Sequence, residues 1–215
     1  MKTLSTLLLC SYALALAAAL CGPYADDLVA WVSSPFGLAL AAGFGSTYLL
    51  FRPYGFAAVL KHEIAHSLAA VMTFNRPVAL QVKSDGSGLA EHRGTHNWFI
   101  CLAPYFLPVM ALPLLLIGCL GIASGTGYAV LLGLAAGFDL GVSWRQFGYH
   151  QVDLLHAGKV RSTLLVASCA TVCYTFVIAF AGAESPRIAI TVLKTGAGQL
   201  AVWAHTAWVS VAGLV

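Results

Sequence analysis

Charge is what this sequence has least of. Lys, Arg, Asp and Glu supply 9% of its 215 residues, against about 25% in a soluble globular domain. That shortage excludes an ordinary soluble surface. The net charge is only +3, and the basic residues are scattered along the chain. No nucleic-acid-binding face follows from such a pattern. There is no glycine-rich phosphate loop, no internal repeat and no soluble second domain. The six cysteines stand at 10, 21, 101, 119, 169 and 173, with no C-x-x-C and no paired framework. Cys169 and Cys173 share a helix face, yet no histidine or acid lies near them in sequence, so packing is their expected role.

Hydrophobic residues, by contrast, make up 60% of the chain. They fall into long runs: Thr3 to Leu20, Leu28 to Phe51, Phe56 to Phe74, Trp98 to Ile122, Tyr128 to Trp144, Ser162 to Ala183, and about Ala197 to Val215. A bilayer core is spanned by ~20 apolar residues in a helix. The expectation is therefore an all-α polytopic membrane protein with six to seven transmembrane helices, residues 1–215 forming one domain in the lipid bilayer. Residues 1–21 resemble a signal peptide or a first spanning helix, and the length of the run favours a retained helix.

Between Asn75 and Asn97 the pattern changes. Val78, Leu80 and Val82 alternate with Ala79, Gln81 and Lys83, the period of a strand. Ser84-Asp85-Gly86-Ser87-Gly88 reads as a turn, and Leu89-Ala90-Glu91 as a returning strand. A short β-hairpin over 75–97, at the membrane surface, is the expected product.

The most informative stretch precedes it: Lys61-His62-Glu63-Ile64-Ala65-His66. Positions i and i+4 of a helix lie one above the other, so His62 and His66 can offer imidazoles to one cation. Glu63, one step round the helix, would stand beside a metal-held water as proton acceptor. This is the physical content of the H-E-x-x-H pattern, which by chance arises roughly 0.003 times in a chain of this composition. Ionisable groups inside an apolar run are costly in lipid and point to function.

Two histidines leave a catalytic zinc site one protein ligand short. Asp153, in the polar segment 145–160, and Asp139, inside an apolar run, are the leading candidates. Their positions alone do not separate them. His150 and His156 lie near Asp153 in a surface-like segment, where solvation is the expectation. The same holds for His92 and His96; Asp26 and Asp27, ahead of the second run, are expected to be solvated or to cap it, and Asp85 is explained by the Asp-Gly chemistry of its turn. His205 is expected to pack or to sit at an interface beside Trp203.

His62-Glu63-x-x-His66-Ser67-Leu68-Ala69-Ala70, the Ser84-to-Gly88 turn and Ala103-Pro104-Tyr105 at the start of an apolar run together resemble the site-2 protease family of intramembrane zinc metalloproteases. More narrowly, they resemble its short bacterial branch without a PDZ domain, over about Leu50 to Phe180. The resemblance implies a zinc endopeptidase of a bacterial inner membrane, with Glu63 as general base. That branch carries an acid in a Gln-x-Asp-Leu or Ser-Asp-Ala segment after the later helices. Gln151-Val152-Asp153-Leu154 is similar to it, which assigns the third ligand to Asp153. The Leu-Asp-Gly motif of better-known members does not occur here.

The implied chemistry is hydrolysis of a peptide bond in a membrane-embedded protein substrate. A substrate helix must unwind to be cut, and its freed amides need partners. The strand at Val78, Leu80, Gln81 and Val82 could supply them by strand addition. Lys and Arg around the hairpin and around 145–161 place both on one, cytoplasmic, side. The alternative is a catalytically silent scaffold, metal-binding or sensor protein of the same fold, which could dispense with Glu63. Oligomeric state is not legible in the sequence.

Overall fold

A computed structural model describes residues 2–21, 30, 32–52, 55–83, 86–95, 97–147, 151–156 and 158–212. Asp26, Asp27, Ser84, Asp85, His96, His150 and the His156 side chain lie outside the described residues. The fold is mostly helical: α1 (Lys2–Cys21), α2 (Pro35–Leu49), α3 (Phe56–Met72), α4 (Trp98–Leu102), α5 (Ala111–Cys119), α6 (Thr126–Gln146), α7 (Val152–His156), α8 (Lys159–Ala183) and α9 (Pro186–Ala212). One antiparallel hairpin, β1 (Arg76–Val82) and β2 (Gly88–Arg93), follows α3.

Among the described residues, two helices are long and apolar enough to cross a membrane, α6 and α8, where seven apolar runs led to an expectation of six to seven. The difference has physical causes. At 1.5 Å per residue, α2 (15 residues) and α3 (17 residues) fall short of a ~30 Å hydrocarbon core. The run Trp98 to Ile122 is not one helix. It breaks into α4, a 3-10 turn at Ala103–Tyr105 and α5, in a stretch holding Pro104 and Pro108, each without an amide hydrogen. The 27-residue α9 begins eleven residues ahead of the expected Ala197 and takes in Arg187 and Lys194.

Helix α2 starts where Pro35 presets the backbone and the Ser34 hydroxyl accepts from the Gly37 amide at 3.2 Å, a side-chain cap. It packs most extensively on α6, and glycine makes this possible. Gly133, Gly137 and Gly141 recur every fourth residue of α6 and meet the Phe36 carbonyl, the Leu40 carbonyl and Thr47 of α2 in turn. A methyl group at any of them would overlap α2, so the helices approach backbone to backbone, in the same direction. Arg145 closes this pair, donating to the Phe51 carbonyl at 2.7 Å and lying over the Tyr48 ring.

Helices α1, α8 and α9 pack together beside this pair. The core nearest the histidines joins Ala65, Ala69 and Ala70 of α3 to Ile100, Cys101 and Leu102 of α4, with Tyr105, Leu154 and Leu165. Alanines on this face of α3 let α4 come close.

The hairpin takes the expected place. Leu80 pairs with Ala90, Gln81 with Leu89 and Val82 with Gly88, with a bulge between Pro77 and Ala79. Gly88 belongs to β2 rather than to the turn. Val78 and Leu80 remain exposed.

Candidate metal centre

Within α3, His62 and His66 turn toward one point, their ring centroids 4.9 Å apart. Asp153, from the first turn of α7, enters from the far side. Its Oδ2 lies 3.3 Å from His62 Nε2 and 3.6 Å from His66 Nε2. One donor atom from each of the three side chains lies within 4.8 Å of the others, and all three side chains are half-buried. Among the described residues this is the group of histidines and acids able to hold a metal.

The far nitrogen of each ring is also engaged. His66 Nδ1 sits 2.8 Å from the Ile100 carbonyl oxygen, which can only accept, so that nitrogen carries the proton. His62 Nδ1 faces Gln146 Oε1 at 3.2 Å. Both Nε2 lone pairs are thereby turned to the shared centre, the support that metal-binding imidazoles ordinarily receive. Two neutral nitrogens and a carboxylate are a donor set that suits zinc, with room for a fourth position.

Asp153 reaches the histidines because α7 is anchored through the next residue, Leu154. Leu154 is buried beneath it, and the Ser162 hydroxyl of α8 donates to the Leu154 carbonyl at 2.8 Å. Burial by itself would raise the Asp153 carboxyl's pKa. Where the imidazoles of His62 and His66 also carry a proton on Nε2, they donate to it and add their positive charge, which outweighs burial and holds it well below the usual carboxylate range. The Tyr105 hydroxyl donates to the same oxygen, Oδ2, at 3.4 Å.

Glu63 is buried, within electrostatic reach of His62, His66 and Asp153. Its cover is the hairpin. Gly88 approaches so closely that a side-chain carbon there would overlap the Glu63 carboxylate and Val59.

Asp139 lies elsewhere. Fully buried on α6, its Oδ2 accepts from the amides of Met110 and Ala111 at 2.8 and 3.0 Å, capping the start of α5. His92 stays on the hairpin and His205 is exposed on α9. Of the expected strand residues, Val78, Leu80 and Gln81 are exposed and Val82 is half-buried. Gln146, Gly88, the Ile100 carbonyl and Lys61 were not anticipated from sequence. Gln146 has no spacing signal, and a backbone carbonyl has none at all.

A family model described as Peptidase M50B-like matches residues 36–145, just over half of the chain. The chain belongs to that family. M50B-like membership implies a metalloprotease, and M50 proteases use zinc. With two helices long and apolar enough to cross a bilayer, it also points to a membrane protein. The matched segment includes His62, Glu63, His66 and Asp139 and ends before Gln146 and Asp153. Neither the curated proteins nor the solved structures yielded a match.

Proposed function

We propose that this M50B-like chain is a zinc-dependent intramembrane endopeptidase. His62, His66 and Asp153 hold the metal, and Glu63 is the general base. The observation that carries this reading is the convergence of two anchored imidazole nitrogens and one carboxylate oxygen beside Glu63. Zinc bound there supplies Lewis acidity, making water more acidic and polarising a peptide carbonyl.

The side chains do the rest. The Glu63 carboxylate accepts the proton of the attacking water and returns it to the leaving amine nitrogen. Burial beneath Gly88 keeps that carboxylate in place and limits access of bulk water. Val78, Leu80, Gln81 and Val82 offer extended backbone to an unwound substrate segment, whose amides would otherwise go unpaired in lipid. The substrate class is a membrane-embedded protein, the setting a bacterial inner membrane, and the hairpin side cytoplasmic.

The test is elemental analysis of the purified protein together with cleavage of a membrane substrate. One zinc per chain is expected in the wild type, and loss in His62→Ala and Asp153→Ala. Glu63→Gln should keep the metal and lose roughly 10²- to 10⁴-fold in cleavage rate, the usual worth of a general base. Zinc binding with cleavage indifferent to Glu63 would favour a metal-binding scaffold or sensor. A proline at Gln81 that leaves cleavage unchanged would remove strand addition from the mechanism.

A further inference from the structure

Between Leu102 and Ala111 the chain leaves regular helix inside an apolar interior. Backbone groups freed by such a break cost several kcal/mol each in hydrocarbon if left unpaired. Three buried side chains from α3 and α6 satisfy them. Lys61 Nζ donates to the Pro104 carbonyl at 2.5 Å and to Ser143 Oγ at 2.6 Å. Ser143 Oγ in turn donates to the Pro104 carbonyl at 2.9 Å. Asp139 takes the two amides at the start of α5. Lys61 and Asp139 are both fully buried.

A charged lysine buried next to the metal motif is expensive, and the peptidase chemistry makes no direct use of it. What the break it stabilises does is present Tyr105. That ring stands edge-on to His62 with centroids 5.5 Å apart, and its hydroxyl donates to Asp153 Oδ2.

We propose that Lys61 is a positioning residue of the metal centre, acting through the Pro104–Tyr105 turn to set Tyr105 against His62 and Asp153. This rests on the reading of His62, His66 and Asp153 as zinc ligands. Lys61, Ser143 and Asp139 form a hydrogen-bonded clamp on the broken helix. The clamp fixes the orientation of the Asp153 carboxylate by way of the Tyr105 hydroxyl.

The experiment is a double-mutant cycle on zinc affinity, read by competition with a chromophoric chelator in detergent. The proteins are wild type, Lys61→Met, Tyr105→Phe and the double variant. Tyr105→Phe should weaken zinc binding about tenfold, the lower end for a residue supporting a metal ligand. Lys61→Met should weaken it at least as much, and the double variant no more than Lys61→Met alone. A lysine that merely stabilises the fold would not couple to Tyr105. Losses that multiply, or full affinity in Lys61→Met, would overturn the proposal.

Where Lys61→Met does not fold, Ser143→Ala takes its place, since it keeps Lys61 and Asp139 and removes one donor to Pro104. It should weaken zinc binding, with Tyr105→Phe adding nothing further; independent losses would again overturn the clamp. Absence of zinc from the wild type would sink this proposal together with the peptidase reading. Coupled losses of affinity in a protein that cleaves nothing would sink only the latter.

Discussion

Gly88 of the hairpin lies against the carboxylate of Glu63, with no space between them for a side-chain carbon. The strand that follows the turn is thus the lid of the proposed general base. Gly88→Ala should push Glu63 out of line while leaving the two histidines and Asp153 where they are. Misplacing a reacting group by about 1 Å can cost ~10²-fold in rate. Cleavage should fall by that order with zinc content unchanged; a Gly88→Ala protein of wild-type activity would mean that the hairpin does not seat Glu63.

Gln146 offers its carbonyl oxygen to His62 Nδ1. Gln146→Leu keeps the size and removes the acceptor. Zinc affinity should drop about 10- to 100-fold, measurable by chelator competition. Unchanged affinity would show that His62 needs no orienting partner.

Asp139 and Asp153 should separate cleanly in a stability measurement. Asp139→Asn removes the buried carboxylate that accepts from the Met110 and Ala111 amides, and a hydrogen bond to a charged group is worth about 1.5–3 kcal/mol. The thermal midpoint in detergent should fall markedly, with one zinc per chain retained when zinc is saturating. If zinc is lost instead, the third ligand is Asp139 and the endopeptidase reading survives with that change.

Acidification should strip the metal through the histidines rather than through Asp153. A carboxyl whose folded pKa is depressed contributes fully above its unfolded value, about 3.9, and loses that contribution only as pH falls through the folded one. Asp153 is held below the usual range, so it stays ionised while protons compete for imidazole nitrogens. The logarithm of zinc affinity followed across an acid titration should fall with protons competing at the two imidazoles and show no further break in the ordinary carboxylate range. A third competing proton appearing near the unfolded carboxylate value, about 3.9, would contradict this account.

The helices, the hairpin and the His62-Glu63-x-x-His66 face were legible in the sequence because each is encoded by near neighbours. Helical spacing puts residues i and i+4 together whatever the rest of the chain does, and alternation beside a glycine-rich turn makes a hairpin. Gly133, Gly137 and Gly141 were legible in principle, since their four-residue spacing marks one helix face; that this face meets α2 was not.

Where the apolar run from Trp98 breaks, and what the break is for, depended on Lys61, Ser143 and Asp139 arriving from α3 and α6. Position along the chain left Asp139 and Asp153 equal as candidates. Tertiary structure sends Asp139 to the amides of Met110 and Ala111, and brings Asp153 to His62 across 91 residues of chain. The sequence by itself determined an apolar, mostly helical chain carrying two histidines and a glutamate on one helix. The resemblance of Gln151-Val152-Asp153-Leu154 to a family segment pointed to the acid; only tertiary structure brings it, with Gln146 and the Ile100 carbonyl, to the histidines, because that meeting is the summed result of packing among α3, α4, α6, α7 and α8.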